Sequence, residues 1–305
     1  MSSDHATSES SYYVPEQSKF PIFASIGLFL TVFGAGNWIN GNSIGMTTFF
    51  CGGLVMATVM WNWFGTVIRE NMAGMNSAQV KRSYVWGMGW FIFSEVMFFA
   101  AFFGALYYLR HLSVPWLAGE GDKSLMTNEL LWNGFTNEWP LLVTPDMVAN
   151  GDKAQFVGAD QVMGWKGLPL INTILLLTSS FTVHFAHTAL KKANRKGFNI
   201  WLGLTVALGI AFLICQVEEY IHAYQELGLT LETGVYGTTF FMLTGFHGAH
   251  VTMGTFMLLV MWLRSMIKGH FHHDDCFGFE AASWYWHFVD VVWVGLFLFV
   301  YILGS

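Results

Sequence analysis

A bundle of membrane-spanning α-helices, all-α in class, is predicted by three features of this 305-residue chain. It is 54% hydrophobic and only 11% charged, its mean hydropathy is +0.45, and its apolar residues run in seven long blocks. A soluble domain carries about 25% charged residues, and a crossing of the hydrocarbon needs roughly 20 mostly apolar ones. The 14 Trp and 29 Phe exceed what one globular core of this length would bury. A net charge of −6 leaves no basic footprint, which excludes nucleic acid as a partner. Cys51, Cys215 and Cys276 share no C-x-x-C spacing, so neither a disulfide framework nor a zinc ribbon is expected.

Residues 1–19 read as a cytoplasmic tail, with Asp4, Glu9 and Glu16 ahead of the first basic residue, Lys19. A secretory signal needs a positive start and an apolar middle, so the first apolar block is a retained span. Spans are predicted over about 20–39, 44–67, 83–109, 168–190, 198–222, 235–267 and 279–303.

The basic residues order these spans across the membrane. Lys19, Arg69, Lys81, Arg82, Lys191, Lys192, Arg195, Lys196, Arg264 and Lys268 fall on one side; Arg110, Lys123, Lys153 and Lys166 fall on the other, in or beside one long loop. Short basic loops stay in the cytoplasm. The N-terminus is therefore expected inside and, after seven crossings, the C-terminus outside. Every second loop is basic, which supports the count of seven independently of hydropathy.

The loop 110–167 differs in composition from the rest. Glu120, Asp122, Glu129, Glu138, Asp146, Asp152 and Asp160 alternate with Trp116, Trp132, Trp139 and Trp165. It reads as a small packed or interface-lying cap on the outer face; an acidic docking patch for a basic soluble partner such as a cytochrome c is the sharper alternative.

Ionisable residues inside spans are costly and are functional candidates by default. Glu95 stands in Phe91-Ile92-Phe93-Ser94-Glu95-Val96-Met97-Phe98-Phe99, about 12 residues into its span or roughly 18 Å deep. No Lys or Arg shares that depth, so the carboxyl is expected to be uncharged, either as a hydrogen bond between helices or as a site affecting proton or lipid chemistry. The same arithmetic puts Asp290 at roughly 17 Å and His250 at roughly 26 Å, and either is a candidate partner for Glu95. His287 and Asp290, three residues apart, share a helix face and are expected to satisfy each other or a neighbouring helix. Glu280 reaches the inner interface, and Glu218 and Glu219 are placed near headgroup water.

Two histidine pairs, His184/His187 and His247/His250, have the i,i+3 spacing that suits a metal or haem ligand in principle. Rings so close cannot serve two stacked macrocycles, and no metal is expected on this chain. His270, His272, His273, Asp274, Asp275 and Cys276 offer donors for a transition metal, but a solvated loop accounts for them as well. Gly245, Gly248 and Gly254 suggest close helix packing.

Val67-Ile68-Arg69-Glu70 closes the second span, Ser94-Glu95-Val96-Met97-Phe98-Phe99 lies in the third and Ala186-His187 closes the fourth. Gly234-Val235-Tyr236-Gly237-Thr238-Thr239-Phe240-Phe241 leads into Gly245-Phe246-His247-Gly248-Ala249-His250-Val251. The seventh span opens on Phe277-Gly278-Phe279-Glu280-Ala281-Ala282-Ser283-Trp284-Tyr285-Trp286-His287-Phe288-Val289-Asp290-Val291-Val292-Trp293. Together these blocks resemble subunit III of the haem–copper cytochrome c oxidases of the bacterial aa3 type. The likeness runs over about 60–109 and 165–305 and leaves out the tail and most of the 111–164 loop.

The resemblance implies a two-helix part (20–67) and a five-helix part (83–303, interrupted by the 110–167 loop), with phospholipids in a cleft between them. It implies a non-catalytic subunit of a proton-pumping oxidase, packed on subunit I, with cytochrome c as electron donor. Haem and copper lie in subunit I and copper in subunit II; none is bound by this chain. Lipid headgroups are held in the family at positions matching Trp63, Glu70 and Arg264. The family's Trp-Trp-Arg-Asp reads Trp63-Phe64-Gly65-Thr66 here, so one headgroup Arg is missing. Glu95 matches a carboxyl linked to lipid packing and proton uptake, and His247, His250, His287 and Asp290 are expected to form a structural polar network. The expected setting is a bacterial inner membrane. The competing classes are a quinol-oxidising b-type cytochrome, a quinol oxidase subunit III, which lacks the first two helices, and a transporter, whose paired repeats are not found.

Overall fold

The computed structural model describes residues 17–122, 125–271 and 276–305. Asp4, Glu9 and Glu16 of the tail, Lys123, and His272, His273, Asp274 and Asp275 of the histidine-rich loop lie outside the described residues. Regular structure among the described residues is entirely helical. The α-helices are α1 (Phe20–Ile39), α2 (Ser43–Met72), α3 (Ala78–Tyr108), α4 (Val114–Leu117), α5 (Pro145–Asn150), α6 (Leu168–Lys191), α7 (Arg195–Glu226), α8 (Gly234–Lys268) and α9 (Phe277–Leu296). Seven helical segments, built on α1, α2, α3, α6, α7, α8 and α9, are long and apolar enough to cross a membrane. The molecule is a multi-pass membrane protein.

Most helices outrun the apolar blocks. α2 continues through Arg69, Glu70 and Asn71, and α3 begins ahead of Lys81 and Arg82. A helix leaving hydrocarbon still closes its own backbone hydrogen bonds, so polar residues extend it into the headgroups. α3 then passes through a wide π-helical turn, Leu109–Ser113, ahead of Pro115. Proline cannot donate to the carbonyl four residues back, which favours such an irregular turn.

The chain divides into two compact units, one up to Met88 and one from Gly89, so α3 contributes to both. In the first, α1 and α2 form a hairpin whose backbones nearly touch. A Cβ on Gly34 would lie 2.3 Å from Phe49 N, one on Gly45 2.2 Å from Trp38 N, and one on Gly52 2.4 Å from Thr31 N. Gly27 and Gly34 are seven apart on α1, as are Gly45 and Gly52 on α2, so each pair occupies one face. Without a hydrophobic drive between helices in lipid, such close approach supplies the dispersion that holds them.

In the second unit α6 packs on α7 and α9, and α8 on α7 and α9. Two fully buried tryptophans fill the centre. Trp286 Nε1 donates to Ser179 Oγ at 2.9 Å and Trp293 Nε1 donates to Thr173 Oγ1 at 3.0 Å, so both indoles of α9 are anchored on α6. Gly254 makes room for Trp286: a Cβ there would sit 2.8 Å from the indole. The packing role expected of Gly245 and Gly248 is not found. Both line an open groove with Gln216 and Tyr220, and a Cβ added to either would meet its first heavy atom only at ordinary contact distance, 3.4 and 3.6 Å.

The loop 110–167 forms a packed cap on this unit. Phe135, Leu141, Ala159 and Met163 are buried. Asp160 N and Gln161 N donate to Leu227 O at 3.1 and 3.3 Å, and Met163 N donates to the Tyr236 hydroxyl at 3.3 Å. Two of its acids, Glu120 and Asp146, bond within the loop itself. Glu120 accepts from Asn137 Nδ2 at 2.9 Å. Asp146 accepts from Asn150 Nδ2 and from the amides of Gln155 and Phe156 at 2.6, 2.6 and 2.9 Å. The Phe156 amide, then Asn150 and Gln155, holds the Asp146 carboxyl below its ordinary range.

Candidate intramembrane carboxyl–histidine site

From Gly89 onward, α3 turns a stripe of side chains toward α8 and α9. Phe91 stacks on Tyr285, Phe98 meets Phe246 edge to face, and Phe103 meets Phe299. Glu95, one turn after Phe91, shares this stripe. Its Oε2 lies 2.9 Å from His250 Nε2, with the two side chains 23% and 14% exposed.

The second nitrogen of His250 defines the chemistry of the contact. Nδ1 lies 2.6 Å from Phe246 O, one turn back on α8. A carbonyl only accepts, so Nδ1 carries a hydrogen. One proton then occupies the line between Nε2 and Oε2, as a carboxylic acid donating to a neutral imidazole or as an imidazolium donating to a carboxylate. Either form carries zero net charge, which a low-dielectric setting favours over a lone ion. Phe98, Phe99, Tyr285 and Phe288 surround the imidazole at ring-centroid distances of 5.9, 4.9, 6.4 and 6.4 Å.

The equal depth of the two partners follows from the observed helix ends. Glu95 lies 17 residues beyond Ala78 and His250 lies 18 before Lys268, about 26 and 27 Å along their axes. α3 begins five residues ahead of the apolar block at 83, so Glu95 lies deeper than its place in that block indicates and matches His250 rather than Asp290. Asp290 instead faces another environment. It is buried, His287 Nδ1 stands 3.6 Å from its Oδ2, and that same Nδ1 is 2.9 Å from Ser180 Oγ on α6.

His247, His250, His287 and Asp290 are thus distributed over separate contacts. His247 is fully buried, donates through Nε2 to Val289 O at 3.2 Å, and packs on Phe212 and Trp293. Residues three apart on α8 diverge enough for His247 to face the α9 backbone while His250 meets α3. The other pair diverges too: His184 is exposed, whereas His187 Nε2 lies 3.0 Å from Glu280 Oε1. Glu219 departs from its expected solvation. It is fully buried and accepts from the Tyr301 hydroxyl, whereas Glu218 is exposed. Consecutive helical residues point about 100° apart, so one faces out and the other faces the core.

Trp63, 48% exposed and stacked on Phe64, and Glu70 lie seven residues apart on α2, in the first unit. Arg264 belongs to α8 in the second. Its guanidinium sits 4.7 Å over the Phe271 ring, and Nε donates to His270 Nδ1 at 3.4 Å. Ser180, which bonds His287, and Tyr301, which bonds the buried Glu219, are not singled out by the sequence; a hydroxyl inside a span carries no distinctive pattern.

The family model described as cytochrome c oxidase subunit III matches residues 10–118 and 135–305. The chain is 38% identical to the cytochrome c oxidase subunit 3 of Anopheles gambiae, over 96% of this chain and 97% of that one. It is 36% identical to that of Hippopotamus amphibius, over 96% and 97%, and 36% identical to that of Coturnix japonica, over 97% and 98%. The likeness therefore takes in α1 and most of the long loop, beyond the limits set by contiguous motifs. The loop's buried positions, such as Phe135, Leu141 and Met163, lie far apart in sequence and form no contiguous block.

Proposed function

Because the chain belongs to the cytochrome c oxidase subunit III family, we propose that it sustains dioxygen reduction by a redox-bearing partner subunit. In this reading it holds no haem or copper and acts through packing, phospholipid binding and support of proton uptake. The observation that carries it is the Glu95–His250 pair, a one-proton contact about 26 Å along its helix. Such a pair takes up or releases a proton only by becoming charged in hydrocarbon, so it suits a gate or a buffer beside a proton entrance better than a redox ligand set. The commitment of His247 supports the same reading: it is fully buried and donates to Val289 O.

Subunits I and II are the partners, with cytochrome c as the donor, since seven spans match the cytochrome c oxidases rather than the shorter quinol oxidase subunit. The charge bias supports an orientation with the basic helix ends in the cytoplasm. Trp63, Glu70 and Arg264 are headgroup contacts in this reading: arginine pairs a phosphate, tryptophan favours the headgroup level and Glu70 accepts from an ammonium.

Separation of this chain from the purified complex under mild detergent tests the proposal. All haem absorbance and copper should remain with the other polypeptides. A stoichiometric Soret band or copper retained by the separated chain would overturn it in favour of a b-type cytochrome.

A further inference from the structure

The end of α6 that precedes the basic turn Lys191–Arg195 meets the start of α9, and three metal-donor side chains converge there. His187 Nε2, Cys276 Sγ and a Glu280 carboxylate oxygen lie within 4.8 Å of one another. Cys276 stands at the N-cap of α9 and Glu280 one turn further on, where its amide donates to Cys276 O at 2.9 Å. Residues four apart share a helix face, so α9 presents a thiol and a carboxylate together to the imidazole on α6. We propose that His187, Cys276 and Glu280 form a Zn²⁺ site that ties these two helix ends.

Imidazole, thiolate and carboxylate together suit Zn²⁺; Mg²⁺ and Ca²⁺ take oxygen donors. Tetrahedral Zn²⁺, with Zn–S about 2.3 Å and Zn–N or Zn–O about 2.0–2.1 Å, spaces its donors roughly 3.5 Å apart. Donors already within 4.8 Å reach that spacing by side-chain rotation. Cys276 is buried, whereas the His187 and Glu280 side chains are 24% and 25% exposed, so an ion enters from the open side and water completes its shell. Spacing along the chain does not reveal the site, because His187 lies 89 residues before Cys276 and pairs in sequence with His184.

The test uses the intact oxidase complex, treated with chelator and then given one equivalent of Zn²⁺. X-ray absorption at the zinc edge should show one sulfur at about 2.3 Å beside nitrogen and oxygen donors, and Cys276→Ser should remove the sulfur. Glu280→Gln keeps the side-chain size and a hydrogen-bonding partner for His187. Loss of a second-shell partner alone lowers metal affinity about 10–100-fold, so zinc retention in this variant on dialysis should fall at least about tenfold. A shell without sulfur in wild type, sulfur unchanged in Cys276→Ser, or retention unchanged in Glu280→Gln would each overturn the site. They would leave the His187–Glu280 contact as a hydrogen-bonded clamp alone.

Discussion

His250 donates through Nδ1 to Phe246 O at 2.6 Å and meets Glu95 Oε2 through Nε2 at 2.9 Å. The first bond orients the ring and leaves the second nitrogen one role at a time: acceptor from a carboxylic acid or donor to a carboxylate. Glu95 reaches this partner at equal depth from a different helix, with part of its surface turned away from the unit.

A carboxyl in this position should be the preferred target of a hydrophobic carbodiimide, which activates protonated acids from the lipid side. Glu95 is 23% exposed, whereas Asp290 and Glu219 are 5% and 0% exposed. Mass mapping should find the label chiefly on Glu95, and Glu95→Gln should abolish it. Label found mainly on another acid, or undiminished in the variant, would contradict the assignment.

The class of fold, the seven span-length helices and the place of Glu95 inside one of them were legible because each is written in local composition. A charge within an apolar block stands out, and a block of sufficient length has few alternatives to a span. Pairings between helices were harder to read. Hydropathy marks the hydrocarbon rather than the helix, so the five residues of α3 before Ser83 went uncounted and Asp290 looked nearer in depth to Glu95 than His250 did. Glu219 has the same apolar neighbours as Glu218, and only the rotation of α7 separates a buried acid from an exposed one. The glycines of α1 and α2, spaced by seven, carry no expectation from the sequence although they make the closest approach, whereas Gly245 and Gly248, which do carry one, line a groove.

The hairpin of the first unit makes a direct packing prediction. Gly34→Leu or Gly45→Leu forces a side chain into the backbone of the opposite helix and should cost about 1–3 kcal/mol or more. Gly36→Leu, where a Cβ meets nothing within 4 Å, should be nearly neutral. Thermal unfolding of the purified complex, followed by loss of this chain from it, compares the three; equal behaviour would contradict the close-approach account.

Arg264→Ala should lower the phospholipid that remains with the complex through purification, as measured by lipid mass spectrometry. The variant removes the only guanidinium of α8 and with it a bidentate phosphate partner. Retention equal to wild type would reduce Arg264 to a topological charge packed on Phe271.

The cap carries a pH-dependent element. Asp146 has its pKa lowered, first by the Phe156 amide and then by Asn150. Its bonds are fully present above the ordinary carboxylate pKa and are lost as pH falls through the depressed value. Hydrogen exchange at the amides of Gln155 and Phe156, corrected for intrinsic rates, should lose protection over that acidic window. Asp146→Asn should show reduced protection at neutral pH as well; unchanged protection would remove Asp146 from the loop's support.

The central claim is that this chain sustains oxidase turnover without carrying out the chemistry. Oxygen consumption followed from the first turnovers, in complexes with wild-type chain, with Glu95→Gln and without the chain, tests it most directly. Initial electron transfer from cytochrome c should be largely intact in all three. In the depleted complex, proton uptake should slow as pH rises and protons become scarce, and activity should decay during turnover, with Glu95→Gln falling between. Immediate and complete loss of oxygen reduction in the depleted complex, with its haem and copper intact, would contradict the claim and place these residues in catalysis itself.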